Sequence, residues 1–190
     1  MNEFVKFLTK QSRLSFPVLL TILALSIHAA IGAEPKVDVA VETSGDAFIV
    51  NATMDVQVPI EVAWGVFVDI DHAATFLDNL RFSKIISRRG DILIARQEGI
   101  ARFGFLSFAF VTEREVYLEP MNRIVTRQIS GTSKRMQSEA TFASIDQGVR
   151  IKYHAEMVPD SVLARLIGQA FVRHEVTEQF ASLAKEMMRR

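Results

Sequence analysis

From Phe48 onward the chain alternates: Phe48, Val50, Ala52, Met54, Val56 and Val58 are separated by Ile49, Asn51, Thr53, Asp55 and Gln57. A period of two predicts a strand with one buried face. Pro59 then opens a short helix with Ile60, Ala63, Trp64, Phe67 and Val68 on one side, since a proline at the first helical position gives up no needed N–H. Asp69 to Asp71 breaks it, and Asp71 is placed to cap a second short helix carrying Ala74, Phe76 and Leu77. Turn signals recur at Arg89-Gly90-Asp91, Gly104, Pro120-Met121-Asn122, Gly131-Thr132-Ser133 and Asp146-Gln147-Gly148. They divide the following stretch into strands near 82–88, 91–102, 105–118, 123–130, 135–144 and 149–157, joined as an antiparallel meander. The last turns Val149, Ile151, Tyr153, Ala155 and Met157 inward and Arg150, Lys152, His154 and Glu156 outward.

The C-terminal stretch, Asp160 to Arg190, changes to helical spacing. At 100° per residue from Val162, Leu166, Val176, Phe180, Leu183, Ala184 and Met187 form one stripe, and Leu163, Ile167, Phe171 and His174 a second. Asp160 or Ser161 is placed to cap this helix, Gly168 alone weakens it, and Lys185, Arg189 and Arg190 complement its negative end. An apolar face this wide needs a large sheet or a ligand against it. The expected architecture is α+β: a strongly curved, seven-stranded antiparallel sheet gripping one long C-terminal helix, with two short helices after strand 1 and the first strand paired with the last. Residues 34–45 read as a short acidic and polar linker, and residues 46–190 as one domain.

Residues 1–33 read as a secretory signal: Lys6, Lys10 and Arg13 precede an apolar run from Leu14 to Ile27, and small residues follow at Ala29, Ala30, Gly32 and Ala33. The expected destination is the periplasm; the alternative is an uncleaved membrane anchor, against which stand Pro17, Ser26 and His28. Beyond this segment the charge is slightly negative, which excludes general nucleic-acid binding. With no cysteine, the chain has no disulfide, thiolate metal site or cysteine nucleophile.

Candidate chemistry is sparse. Asp69, Asp71 and His72 offer oxygen and nitrogen ligands close together, but helix termination and capping explain them, and no metal is expected. His154 falls on the outward parity of its strand, and His174 reads as a boundary histidine on the second helical stripe. In the third strand Leu93, Ala95, Gln97, Gly99, Ala101 and Phe103 share a face whose small residues leave room for a cavity. Arg96, Glu98 and Arg102 on the other parity read as a solvated outer row, and Arg88-Arg89 and Lys134-Arg135 as turn charges. No phosphate loop, G-x-S-x-G or H-E-x-x-H is present, and no catalytic residue is assigned.

The strand ending Val58-Pro59, the helix with Trp64 and Phe67, Asp69 to Asp71, Phe76, Gly104-Phe105-Leu106-Ser107-Phe108, Glu119-Pro120, Ile124 and the terminal helix together resemble the START-like, or SRPBCC, superfamily. Within it, residues 46–190 look most like the coenzyme Q-binding and polyketide cyclase-like branch. The resemblance implies a helix-grip fold with a cavity between sheet and helix. Its expected lining is Trp64, Phe76, Leu77, Gln97, Ala101, Phe103, Phe105, Phe108, Phe110, Met136, Phe142, Tyr153, Met157, Leu163, Ile167 and Phe171. The leading expectation is an exported binder or carrier of a hydrophobic molecule, a lipid or isoprenoid quinone, with no cofactor and with transient membrane contact. The alternatives are a cyclase- or dehydratase-like enzyme on an aromatic or polyketide-like substrate, and a membrane- or protein-interaction module.

Overall fold

The computed structural model describes residues 35–160 and 162–190, the side chains of 162–167 excepted. The targeting segment, the Ser161 cap and the side chains of Val162, Leu163, Leu166 and Ile167 therefore lie outside the described residues. The elements run β1 (Lys36–Ser44), β2 (Ala47–Val56), α1 (Ile60–Val68), a 3₁₀ turn (Ile70–Thr75), β3 (Leu80–Arg89), β4 (Ile92–Phe103), β5 (Leu106–Glu119), β6 (Arg123–Gly131), β7 (Ser133–Ile145), β8 (Gly148–Pro159) and α2 (Val162–Arg189). All strands pair antiparallel in one sheet, in the order β1-β2-β8-β7-β6-β5-β4-β3. The expected pairing of the strand at Phe48 with the last one is present as β2–β8.

Among the described residues the sheet has eight strands, not seven, and is open rather than strongly curled. The extra strand is β1, in the stretch read as a linker. Val41 is buried, and Val37 and Val39 pack on the core from the same face, while Lys36, Asp38, Ala40 and Glu42 face out. The alternation is present in the sequence, but only the valines mark it, and the acids between them suit a solvated edge. β3, at the other edge, has register shifts between Leu80 and Phe82 and between Ile85 and Ser87.

One face of the sheet carries the core. Met54, Leu93, Ile151, Met187, Val56, Val66 and Val149 are its largest fully enclosed side chains. Trp64 and Phe67 of α1 meet Phe142 of β7 edge-on, with ring centroids 5.3 and 5.0 Å apart. From α2, Val176, Phe180, Leu183, Ala184 and Met187 pack against this cluster, as the first helical stripe predicts. α2 is not a continuous rod, however. Gly168 lies at φ 74°, ψ −161°, so the helix breaks there, in a region of backbone space that is essentially glycine's own.

Asp71 is not the expected cap: its Oδ1 accepts the Ile85 N–H at 2.8 Å, fixing β3 to the 3₁₀ turn. Asp69 Oδ1 lies 2.6 Å from His72 Nδ1, and its Oδ2 accepts from Arg190 at 2.6 Å. Arg190 also stacks over Phe76, and its Nε donates to Glu186 at 2.8 Å. Glu186, 7% exposed, takes two further hydrogen bonds from Arg189. Hydrogen bonds from Arg189 and then Arg190 hold its carboxyl down at about 2, against an ordinary value of 4.5. Because the folded value is the lower one, this stabilisation is complete above the ordinary value and is lost as pH falls toward about 2. Screening of the exposed Arg189 leaves an effect of about 1–2 kcal/mol. Urea unfolding at pH 6 and pH 3 should show it, and Glu186→Gln should flatten part of the difference; an unchanged pH slope in that variant would refute the assignment.

Candidate functional site

Strand register decides which side chains meet between the sheet and α2. Across β4 and β5 the inward residues pair as Ala101 with Phe108, Gly99 with Phe110, Gln97 with Thr112 and Ala95 with Arg114. Each small residue of β4 thus faces a large one of β5. A Cβ on Gly99 would lie 2.7 Å from the Phe110 ring and 2.1 Å from the Asn79 carbonyl. The small-residue face therefore seats the β5 side chains, and the space left over is a partly open cavity of about 460 Å³ bordered by α2.

Leu77, Gln97, Ala101, Phe108, Phe110, Met136, Tyr153, Met157 and Phe171, all expected lining residues, border this cavity. Phe108 and Phe171 pack edge-on at 5.4 Å, and Phe171 also meets Phe103 at 6.1 Å. The remaining described residues are placed elsewhere, correcting the expected lining. Trp64 and Phe142 are core, because α1 covers that end of the sheet. Phe76 is taken by Arg190. Phe103 sits behind Phe171 and against His174. Phe105 is 97% exposed, since the Gly104 turn at φ 58° puts it at the tip of the β4–β5 hairpin.

The polar lining was mostly not anticipated. Gln97, 5% exposed, donates from Nε2 to Ser83 Oγ at 2.8 Å, and Ser83 passes the bond to the Ile70 carbonyl at 2.5 Å. Asn79 donates from Nδ2 to Glu175 Oε2 at 3.2 Å, while the other Glu175 oxygen accepts the Arg102 backbone N–H at 2.8 Å. This ties α2 to both β4 and the loop before β3. Gln128 Nε2 donates to the Ser133 carbonyl at 2.7 Å. Two buried polar atoms on the lining have no partner among the described residues: Asn79 Oδ1 and Arg114 Nε.

Burial pulls the Arg114 guanidinium below its ordinary value, with Tyr153 acting the other way. Burial pushes the Tyr153 phenol up, opposed by Ser138 and then by Arg114. The Tyr153 phenol is available as a donor, and Arg114 has no carboxylate partner among the described residues. Such a pair suits an oxygen that carries or develops negative charge. Parity carried the missing signal: Arg114 lies in step with Phe108 and Phe110, so a strand that turns those rings inward turns Arg114 inward too.

The outward charges are as expected. Arg96 bridges Glu98 and Glu113 at the surface, and His154 is exposed, 2.8 Å from Asn51 Oδ1 on the neighbouring strand. His174 is exposed beside Phe103.

Residues 47–188 match the family described as polyketide cyclase / dehydrase and lipid transport. Among solved structures, the Zhui aromatase/cyclase from Streptomyces sp. R1128 is similar at 16% identity and a TM-score of 0.66, over 76% of this chain and 95% of that one. A STAR-related lipid transfer protein from Xanthomonas axonopodis is similar at 13% identity and 0.63, over 83% and 95%. Human STARD10 is similar at 15% and 0.62, over 83% and 70%. At these identities the likeness is one of fold. No curated protein is similar enough to match.

Proposed function

Since the chain belongs to the polyketide cyclase / dehydrase and lipid transport family, within the START-like superfamily, we propose that it encloses a mainly apolar small molecule between its sheet and α2. The observation that carries this is the cavity itself: about 460 Å³, walled by Phe108, Phe110, Met136, Met157 and Phe171, with a few polar groups set among them. That is the composition of a small-molecule site. Burial of ligand surface supplies the affinity, at about 25 cal/mol per Å² before ordering costs.

The similar solved structures include aromatase/cyclases and a lipid-transfer protein, and two uses of the cavity follow. The better supported is cyclase- or dehydratase-like chemistry on an aromatic or polyketide-like substrate, in which Arg114 and Tyr153 stabilise charge on a substrate oxygen. The second is carriage of a lipid or quinone-like molecule, favoured by the apolar walls. In either case the sequence of residues 1–33 supports action after export.

The test is native mass spectrometry of the protein purified without harsh detergent, with mass analysis of its organic extract. A stoichiometric molecule delivered unchanged to vesicles supports carriage. Saturable conversion of a poly-β-ketone thioester that is lost in Tyr153→Phe supports the enzyme. A protein that emerges empty and takes up no apolar probe refutes both.

A further inference from the structure

Most arginines that have a described partner find it on the surface. Arg96, Arg123, Arg135, Arg150, Arg189 and Arg190 each pair with at least one carboxylate. Arg114 is different. It projects from the inward parity of β5 into the cavity, opposite Ala95 on one side and Gln128 on the other. No carboxylate of the described residues reaches it, and its Nε is sealed from solvent without a hydrogen-bond partner. Of the acids bordering the cavity, Glu175 is committed to Asn79 and the Arg102 backbone, and Asp160 lies exposed where β8 gives way to α2.

A half-buried guanidinium with no counter-charge is costly, and folding alone does not relieve it here. A ligand can. We infer that the cavity takes an amphipathic acid: an apolar body lying along Phe108, Met157 and Phe171, with an anionic oxygen head, a carboxylate or comparably acidic group, seated on Arg114 beside Tyr153. This rests on the cavity being the ligand site and narrows its occupant. A neutral quinone or glyceride fills the apolar walls but leaves the arginine unmatched; an acid of the same size satisfies both. A guanidinium is suited to the task because it presents planar donors that match two acceptor oxygens at once.

A matched pair of fluorescent probes separates the two ideas. 8-Anilino-1-naphthalenesulfonate and N-phenyl-1-naphthylamine share an aromatic body, and only the first carries an anionic head. Titrated into the full-length protein, the anionic probe should bind more tightly. Arg114→Gln should weaken it about ten-fold or more, while the neutral probe changes less than about two-fold, and Arg114→Lys should recover part of the loss. Retained binding of the neutral probe shows that the cavity is intact in the variant, and Tyr153→Phe should weaken the anionic probe more than the neutral one. In competition, dodecanoate should displace the neutral probe at lower concentration than dodecanol. Equal binding of both probes, or a probe ratio unmoved by Arg114→Gln, would overturn the inference while leaving the cavity as a site. Failure of both probes to bind the wild type would overturn the cavity reading and this one with it.

Discussion

Phe142→Ala is expected to cost the fold about 3–5 kcal/mol while leaving the affinity of the folded protein for an apolar probe nearly unchanged. Phe142 is buried, and Trp64 and Phe67 both present an edge to it, so truncation removes a large apolar area and two aromatic contacts at once. The hole would lie under α1, away from the residues that border the cavity. Phe171→Ala should behave in the opposite way. That ring is half-buried, touches Phe103 and Phe108, and borders the cavity, so its loss should weaken ligand retention more than stability. Urea unfolding and probe titration on both variants make the comparison. A Phe171→Ala variant that unfolds easily and keeps its affinity would mark Phe171 as core.

The second large effect is expected from adding a single methyl group. Gly99→Ala places a Cβ 2.1 Å from the Asn79 carbonyl oxygen and 2.7 Å from the Phe110 ring. A flexible side chain could step aside, but a peptide carbonyl cannot do so cheaply. The Asn79 oxygen accepts the Ile100 N–H at 2.8 Å, and the Asn79 side chain holds Glu175 of α2. Relief of the clash therefore disturbs both the β3–β4 entry and the tie to the helix. The expected cost is about 1–3 kcal/mol in stability, with a loss of probe affinity as Phe110 is pushed into the cavity. Ala101→Gly, a neighbouring change of the same size in the other direction, should leave Phe110 in place. If Gly99→Ala melts with the wild type and binds the probe normally, the close approach at Gly99 does not shape the site.

Much of this was legible because strands write their faces into the sequence with a period of two. Phe48 through Val56, Leu93 through Phe103 and Val149 through Met157 announce an inward side without help from the rest of the chain, and turn residues between them fix the order of the meander. β1 is not legible in the sequence because three valines among polar residues make a weak signal, one that gains meaning only when β2 and the core are there to receive them. The break in α2 was missed because a glycine inside a helical pattern looks like a cost rather than a choice. Only the backbone angles at Gly168 show that the chain makes use of its freedom. Aromatic residues were sorted least well. Periodicity puts Phe142 and Phe110 on the same side of the sheet but does not say which of them α1 covers. Arg114 is hidden for a different reason: a charge on a strand suits water, and only its parity with Phe108 and Phe110 turns it inward.

An open sheet has a rim that invites a stranger's backbone. At the β3 rim, the two register shifts interrupt the row of edge N–H and C=O groups, Asp71 already takes the Ile85 N–H and pairs with Lys84, and Arg88 and Arg89 stand exposed at its end. A neighbouring chain approaching there would find no continuous ladder to zip against and the Arg88-Arg89 pair at its end. The bulges of β3 thus act as insulation for the sheet, guarding against runaway self-association in a fold that does not close on itself.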